Sequence, residues 1–114
     1  MPLNTAGKVL AANGIAAAVT HMSLHTADPG GTGANESSAA RQPVTLAVDG
    51  SGDLSVSNVA FTGGASSGAC TYVGFWSAIT AGTNYGDDSL TGDATFNAAG
   101  EYTVDSATLT LSAT

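Results

Sequence analysis

The sequence predicts an all-β fold: a single antiparallel β-sandwich or jelly-roll-like domain over residues 1–114, with a short N-terminal helix. Three observations predict it. From Thr20 onward, apolar residues recur mostly at a period of two, the spacing of a half-buried strand. Clusters of Gly, Asp, Asn and Ser separate these runs, and 15 of the 114 residues are glycine. Short strands between such turn clusters fit a sandwich or barrel. No solenoid-type repeat and no linker divides the chain.

The helical segment is expected over residues 4–18. Asn4 or Thr5 can cap it, and Ala6 to Ala12 favours helix with Val9 and Leu10 on one side. Asn13-Gly14 is a natural C-terminal stop, after which Ile15 to Val19 forms either a further turn or a lead-in. Its alanines bring propensity but little burial, so the segment must dock to persist.

The first strand follows, with Met22 and Leu24 on one face and His21, Ser23 and His25 on the other. Asp28-Pro29-Gly30-Gly31 ends it with turn chemistry, and residues 28–42 form a long loop. Val44, Leu46 and Val48 alternate as the next strand. Leu54 to Val56 and Val59 to Phe61 come after Asp49-Gly50-Ser51-Gly52, with Ser57-Asn58 as a bulge or turn between them. Cys70 to Ser77 is the most apolar run and is expected at the centre of a sheet. Thr80 to Gly86 reads as a turn region, and Leu90 to Phe96 as a weak strand. Glu101 to Ser112 alternates, with a phase slip near Asp105-Ser106.

Composition narrows the function. Net charge is −7, with Lys8 and Arg41 the two basic residues. Nucleic-acid affinity comes mainly from cations that neutralise phosphates, so direct DNA or RNA binding is not expected. Electrostatic adhesion to an anionic membrane is not expected, by the same argument. No stretch approaches ~18 consecutive apolar residues, so no transmembrane helix is expected. Met1-Pro2-Leu3-Asn4-Thr5 lacks the basic and apolar regions of a signal peptide. Cys70, the single cysteine, can form neither an intrachain disulfide nor a paired-cysteine zinc site, and reads as a small strand residue.

Several motifs invite chemistry, and each has a plainer reading. His21 and His25 would share a helix face. On a strand they lie roughly 13 Å apart at ~3.3 Å per residue, too far for one tetrahedral metal. An exposed or interface strand face is the expectation for both. Gly64-Ala65-Ser66-Ser67-Gly68 matches a nucleophile elbow in letters, but a strand rather than a helix follows it. Asp49-Gly50-Ser51-Gly52-Asp53 has the alternating oxygens of a calcium loop, without the downstream bidentate glutamate. Asp87, Asp88 and Asp93 read as solvated loop carboxylates. Thr5-Ala6-Gly7-Lys8 lacks the upstream glycine of a phosphate loop. No catalytic residue, metal or cofactor is expected. Arg41, the only arginine, either pins the 28–41 loop, its planar fork suiting a carboxylate (Glu36 and Asp28 are the candidates nearby in sequence) or several backbone carbonyls, or is a solvated cation.

Ser23 to Glu36 (SLHTADPGGTGANE), Ala40 to Ala47 (ARQPVTLA) and Tyr72 to Ala78 (YVGFWSA) resemble small virion structural proteins of tailed double-stranded DNA bacteriophages. The likeness covers most of the chain. Phe75-Trp76-Ser77 departs from the family's tendency to an apolar residue, Trp and Asp. The resemblance implies a non-enzymatic particle protein. The favoured expectation is a capsid decoration (cement) protein on the outer head surface. By analogy it would be a homotrimer whose other partner is the major capsid protein. The alternative is a minor tail or tail-fibre-associated protein with tail partners. A third reading is a carbohydrate-binding adhesion domain, for which Tyr72, Trp76, Tyr85 and Tyr102 are the aromatic candidates.

Overall fold

The structure is a computed structural model that describes residues 4–90 and 94–109. The middle of the expected strand Leu90 to Phe96, Asp93 and the end of the Glu101 to Ser112 run lie outside the described residues.

Helix α1 spans Thr5–Ala18. Asn4 is its cap: the side-chain oxygen accepts from the Gly7 amide at 2.8 Å, satisfying one of the free N–H groups of the first turn. The expected stop at Asn13-Gly14 does not occur. The helix runs through both residues and closes with the Val19 amide on the Ile15 carbonyl at 2.9 Å. A helical glycine costs only about 1 kcal/mol against alanine, and beyond it Ile15 and Ala16 pack on the core.

Among the described residues seven strands follow: β1 His21–His25, β2 Gln42–Pro43, β3 Ala47–Val48, β4 Leu54–Phe61, β5 Tyr72–Trp76, β6 Asn84–Ser89 and β7 Tyr102–Leu109. They form two antiparallel sheets, a four-stranded sheet in the order β2-β1-β5-β6 and a three-stranded sheet in the order β3-β4-β7. The β-sandwich reading therefore holds. Its core lies between the sheets. Met22, Leu24, Val73 and Phe75 come from one side, and Leu54, Val59, Phe61, Val104 and Ala107 from the other. Each large apolar side chain so buried stabilises by ~1.5–3 kcal/mol. No helix among the described residues is long and apolar enough to cross a membrane.

Three segments depart from expectation. The run Val44 to Val48 is not one strand. β2 ends at Pro43, which has no amide to donate, and the chain then crosses to the other sheet, burying Leu46 on the way. The region Thr80 to Gly86 is only partly turn, because β6 begins at Asn84 and pairs with β5. Cys70 is buried but lies just outside β5, its amide bonded to the Ala94 carbonyl at 3.0 Å. Burial pushes its thiol up to about 11.

Ser57-Asn58 and the phase slip near Asp105-Ser106 are one feature. On β4 the inward residues shift from Leu54 and Val56 to Val59 and Phe61. On β7 they shift from Val104 to Ala107. The shifts face each other, so the pairing is the same on both sides: Ser57 opposes Ser106 and Val59 opposes Val104. Asn58 takes a left-handed φ of 56° there, a conformation asparagine tolerates better than most residues.

Candidate functional site

A connected polar cluster sits on the outer face of the four-stranded sheet. Alternation along β1 places Ser23 and His25 on the face opposite Met22 and Leu24. In the β1–β5 register, Ser23 opposes Gly74, His21 opposes Trp76 and His25 opposes Tyr72. This face was expected to be exposed or an interface. Instead, Ser23 and His25 are fully buried, because the loop over residues 26–41 folds back across it.

The loop is fastened at several points. The Thr26 amide bonds the Asn35 carbonyl at 2.9 Å, and the Ser37 amide bonds the Leu24 carbonyl at 2.8 Å. His25 and Glu36 form an isolated antiparallel bridge. Within the loop, the Asp28 carboxylate accepts from the Gly30 amide at 2.9 Å, the side-chain turn expected of Asp before Pro-Gly. Asp28 is therefore committed to its own turn, and the described ion pair of Arg41 is with Glu36. Gly33 lies against the Trp76 ring with a φ of 78°. Any Cβ there would overlap the indole.

Beneath the loop a hydrogen-bond chain fixes one histidine tautomer. His25 Nδ1 is 2.7 Å from the Ala34 carbonyl oxygen. A carbonyl only accepts, so Nδ1 carries the proton and Nε2 is bare. Ser23 Oγ, 2.6 Å away, donates to Nε2. The Trp76 Nε1–H in turn donates to Ser23 Oγ at 2.7 Å. Each donor thus meets an acceptor. Burial lowers the His25 pKa below its usual value, with Arg41 acting in the same direction. The Ala34 bond and the charges of Glu36 and Asp87 work against that shift.

Gly74 makes the chain possible. A Cβ at this position would lie 2.6 Å from His25 Nε2 and 2.8 Å from Ser23 Oγ. Glycine within a strand often marks such a close approach.

Arg41 closes the outer side and is 8% exposed. Its Nε donates to Glu36 Oε2 at 2.9 Å and its Nη2 to Glu36 Oε1 at 3.0 Å. This is the paired fork that arginine forms with carboxylates. Its Nη1 donates to the carbonyls of Ala78 and Ala81, both at 2.9 Å. The guanidinium lies over Trp76, with Cζ 3.6 Å from the ring centroid. One side chain thus touches the loop, the β5–β6 turn and the single tryptophan.

Of the residues singled out from the sequence, Arg41, Glu36, His25 and Trp76 come together here. Asp28 stands apart in its turn. His21 is half-buried at the far end of β1, where Nδ1 meets Thr20 Oγ1 at 2.9 Å, and it shares no partner with His25. Ser23 was expected on this face beside the two histidines, and carbonyl partners for Arg41 were expected only in general; Gly74 and the specific carbonyls of Ala34, Ala78 and Ala81 were not anticipated. The mid-strand glycine in Tyr72-Val73-Gly74-Phe75-Trp76 was the signal that could have found the cluster.

A serine hydroxyl on a bare imidazole nitrogen is also how a nucleophilic serine is activated. Here the pair is enclosed, and Trp76 occupies a further side of the hydroxyl. The other motifs resolve locally. Asp49 Oδ1 accepts from the amides of Ser51 and Asp53 at 2.8 and 3.0 Å, so its carboxylate holds the β3–β4 turn. Asp87 and Asp88 lie on β6, and Asp88 Oδ2 accepts from the Thr108 amide at 3.0 Å. Among the described residues, no group of three or more His, Cys, Asp or Glu could hold a metal ion. Of the aromatic candidates, Trp76 is capped by Arg41, Tyr72 and Tyr102 are half-buried, and Tyr85 is exposed.

No curated protein sequence and no solved structure matches the chain. A family model described as podophage GP4 fiber I protein gp80 matches residues 7–112. That span runs from the first turns of α1 beyond the end of β7 and includes the whole 26–41 loop and its network. The chain belongs to this family of bacteriophage fibre proteins.

Proposed function

We propose that the chain is a non-enzymatic structural part of a podophage tail fibre, carried on the virion and bound to copies of itself or to neighbouring tail proteins. The observation that carries this reading is the fibre-family match across residues 7–112. It favours the tail alternative over the head-decoration reading, which rested on acidity, compactness and analogy. The buried network is consistent with a structural role. Its hydroxyl, imidazole, guanidinium and carboxylate are paired internally, in service of one loop conformation. Net charge −7 with two cations also argues against contact with the packaged genome.

The test is fractionation of purified, disrupted virions into heads and tails, with quantitation of this chain in each. Recovery with tails, at a small fraction of the major capsid protein's copy number, supports the proposal. Recovery with heads, at a copy number close to that of the capsid protein, would restore the decoration reading.

A further inference from the structure

We infer that His25 is a proton-operated latch for the 26–41 loop, holding it closed when neutral and loosening it when charged. The geometry carries the inference. Nδ1–H is committed to the Ala34 carbonyl, inside the loop, at 2.7 Å. The only nitrogen left to take a proton is Nε2, which already receives the Ser23 hydroxyl at 2.6 Å. Protonation there puts two donors face to face. Ser23 Oγ can accept from the new N–H, but its own hydrogen then loses its partner. Trp76 Nε1 already donates to that oxygen, so Ser23 has little freedom to turn. A buried donor without an acceptor is unfavourable, and the strain falls on the contacts that seat the loop.

The charged and titratable groups around His25 set the balance. Glu36 in the loop and Asp87 on β6 favour the cation. Arg41 and burial oppose it. Tyr72 is the cross-strand neighbour on β5. Burial prevails, so the folded chain takes up the proton at a lower pH than the ordinary 6.5. An unfolded or loop-open chain binds the proton first. The closed state is therefore fully stable above that value and weakens as pH falls below it.

Trp76, the single tryptophan, reports directly on the network. The experiment follows the Trp76 indole N–H and the His25 ring protons by NMR between pH 8 and 4, with limited proteolysis of the loop in parallel. The expected result is one transition, with a midpoint below 6.5, shared by His25, the indole N–H and loop cleavage. His25→Asn should abolish it, and His21→Asn should leave it in place. The inference is overturned if His25 titrates without moving the indole signal. It is equally overturned if cleavage stays flat while His25 titrates, or if the transition follows His21. The wild-type NMR titration decides the matter even should His25→Asn fold poorly.

Discussion

Arg41 lies over Trp76, with Cζ 3.6 Å from the ring centroid, while its Nε and Nη2 donate to Glu36 at 2.9 and 3.0 Å. A planar, permanently charged group can do both at once, and lysine cannot. We take this contact to be what pins the loop to the sheet. Arg41→Ala should cost about 2–3 kcal/mol, since it strands Glu36 and the carbonyls of Ala78 and Ala81. Glu36 keeps some solvent contact, which limits the loss. Arg41→Lys should cost about 1–2 kcal/mol and lose the stacking. Urea unfolding and limited proteolysis of residues 26–41 check both. Unchanged stability and cleavage in Arg41→Ala would show that the arginine pins nothing.

Two glycines should respond to alanine in opposite directions. Gly74→Ala pushes a methyl group into His25 Nε2 and Ser23 Oγ, and overpacking of this kind costs about 1–3 kcal/mol. Gly14→Ala sits in α1 with nothing within 4 Å of the new Cβ, and should stabilise by about 0.5–1 kcal/mol. Thermal unfolding of the two variants side by side provides the check. A similar change in both would mean that the close approach at Gly74 is absent.

Much of this arrangement could be read from the sequence, and the failures have physical causes. Alternation in His21 to His25 and the apolar run Cys70 to Ser77 mark two strands, and His21–His25 pairs with Tyr72–Trp76 in the structure. The facing slips at Asn58 and Asp105 were visible as irregularities, though not as partners. β6 was hidden because Asn-Tyr-Gly-Asp-Asp-Ser has little strand propensity. Pairing with β5 makes it a strand. For the site, Arg41 and Glu36 were named from residue type and their nearness in sequence. The closure of the loop over Ser23 and His25 was not foreseeable, because period-two alternation shows which face a residue takes but not what covers that face. The same limit explains Asp28, whose carboxylate is consumed two residues away at the Gly30 amide.

Asp49 offers a pH signature independent of His25. The amides of Asp53 and Ser51 hold its carboxylate below the usual aspartate range. A depressed folded value stabilises above the unfolded one, near 3.8, and that contribution is lost as pH falls through the folded value. Asp49→Asn keeps an oxygen for both amides and carries no charge. The stability advantage of wild type over this variant should therefore shrink on acidification from pH 5 to pH 2, as chemical denaturation at each pH would show. A difference that stays constant across the range would contradict the turn assignment.

The reading of this chain as a tail-fibre component is most directly tested by gold-labelled antibodies to it on intact virions, viewed by electron microscopy. The account predicts label on fibres or tail appendages, with bare head shells. Label spread evenly over the head, with bare tails, would contradict it.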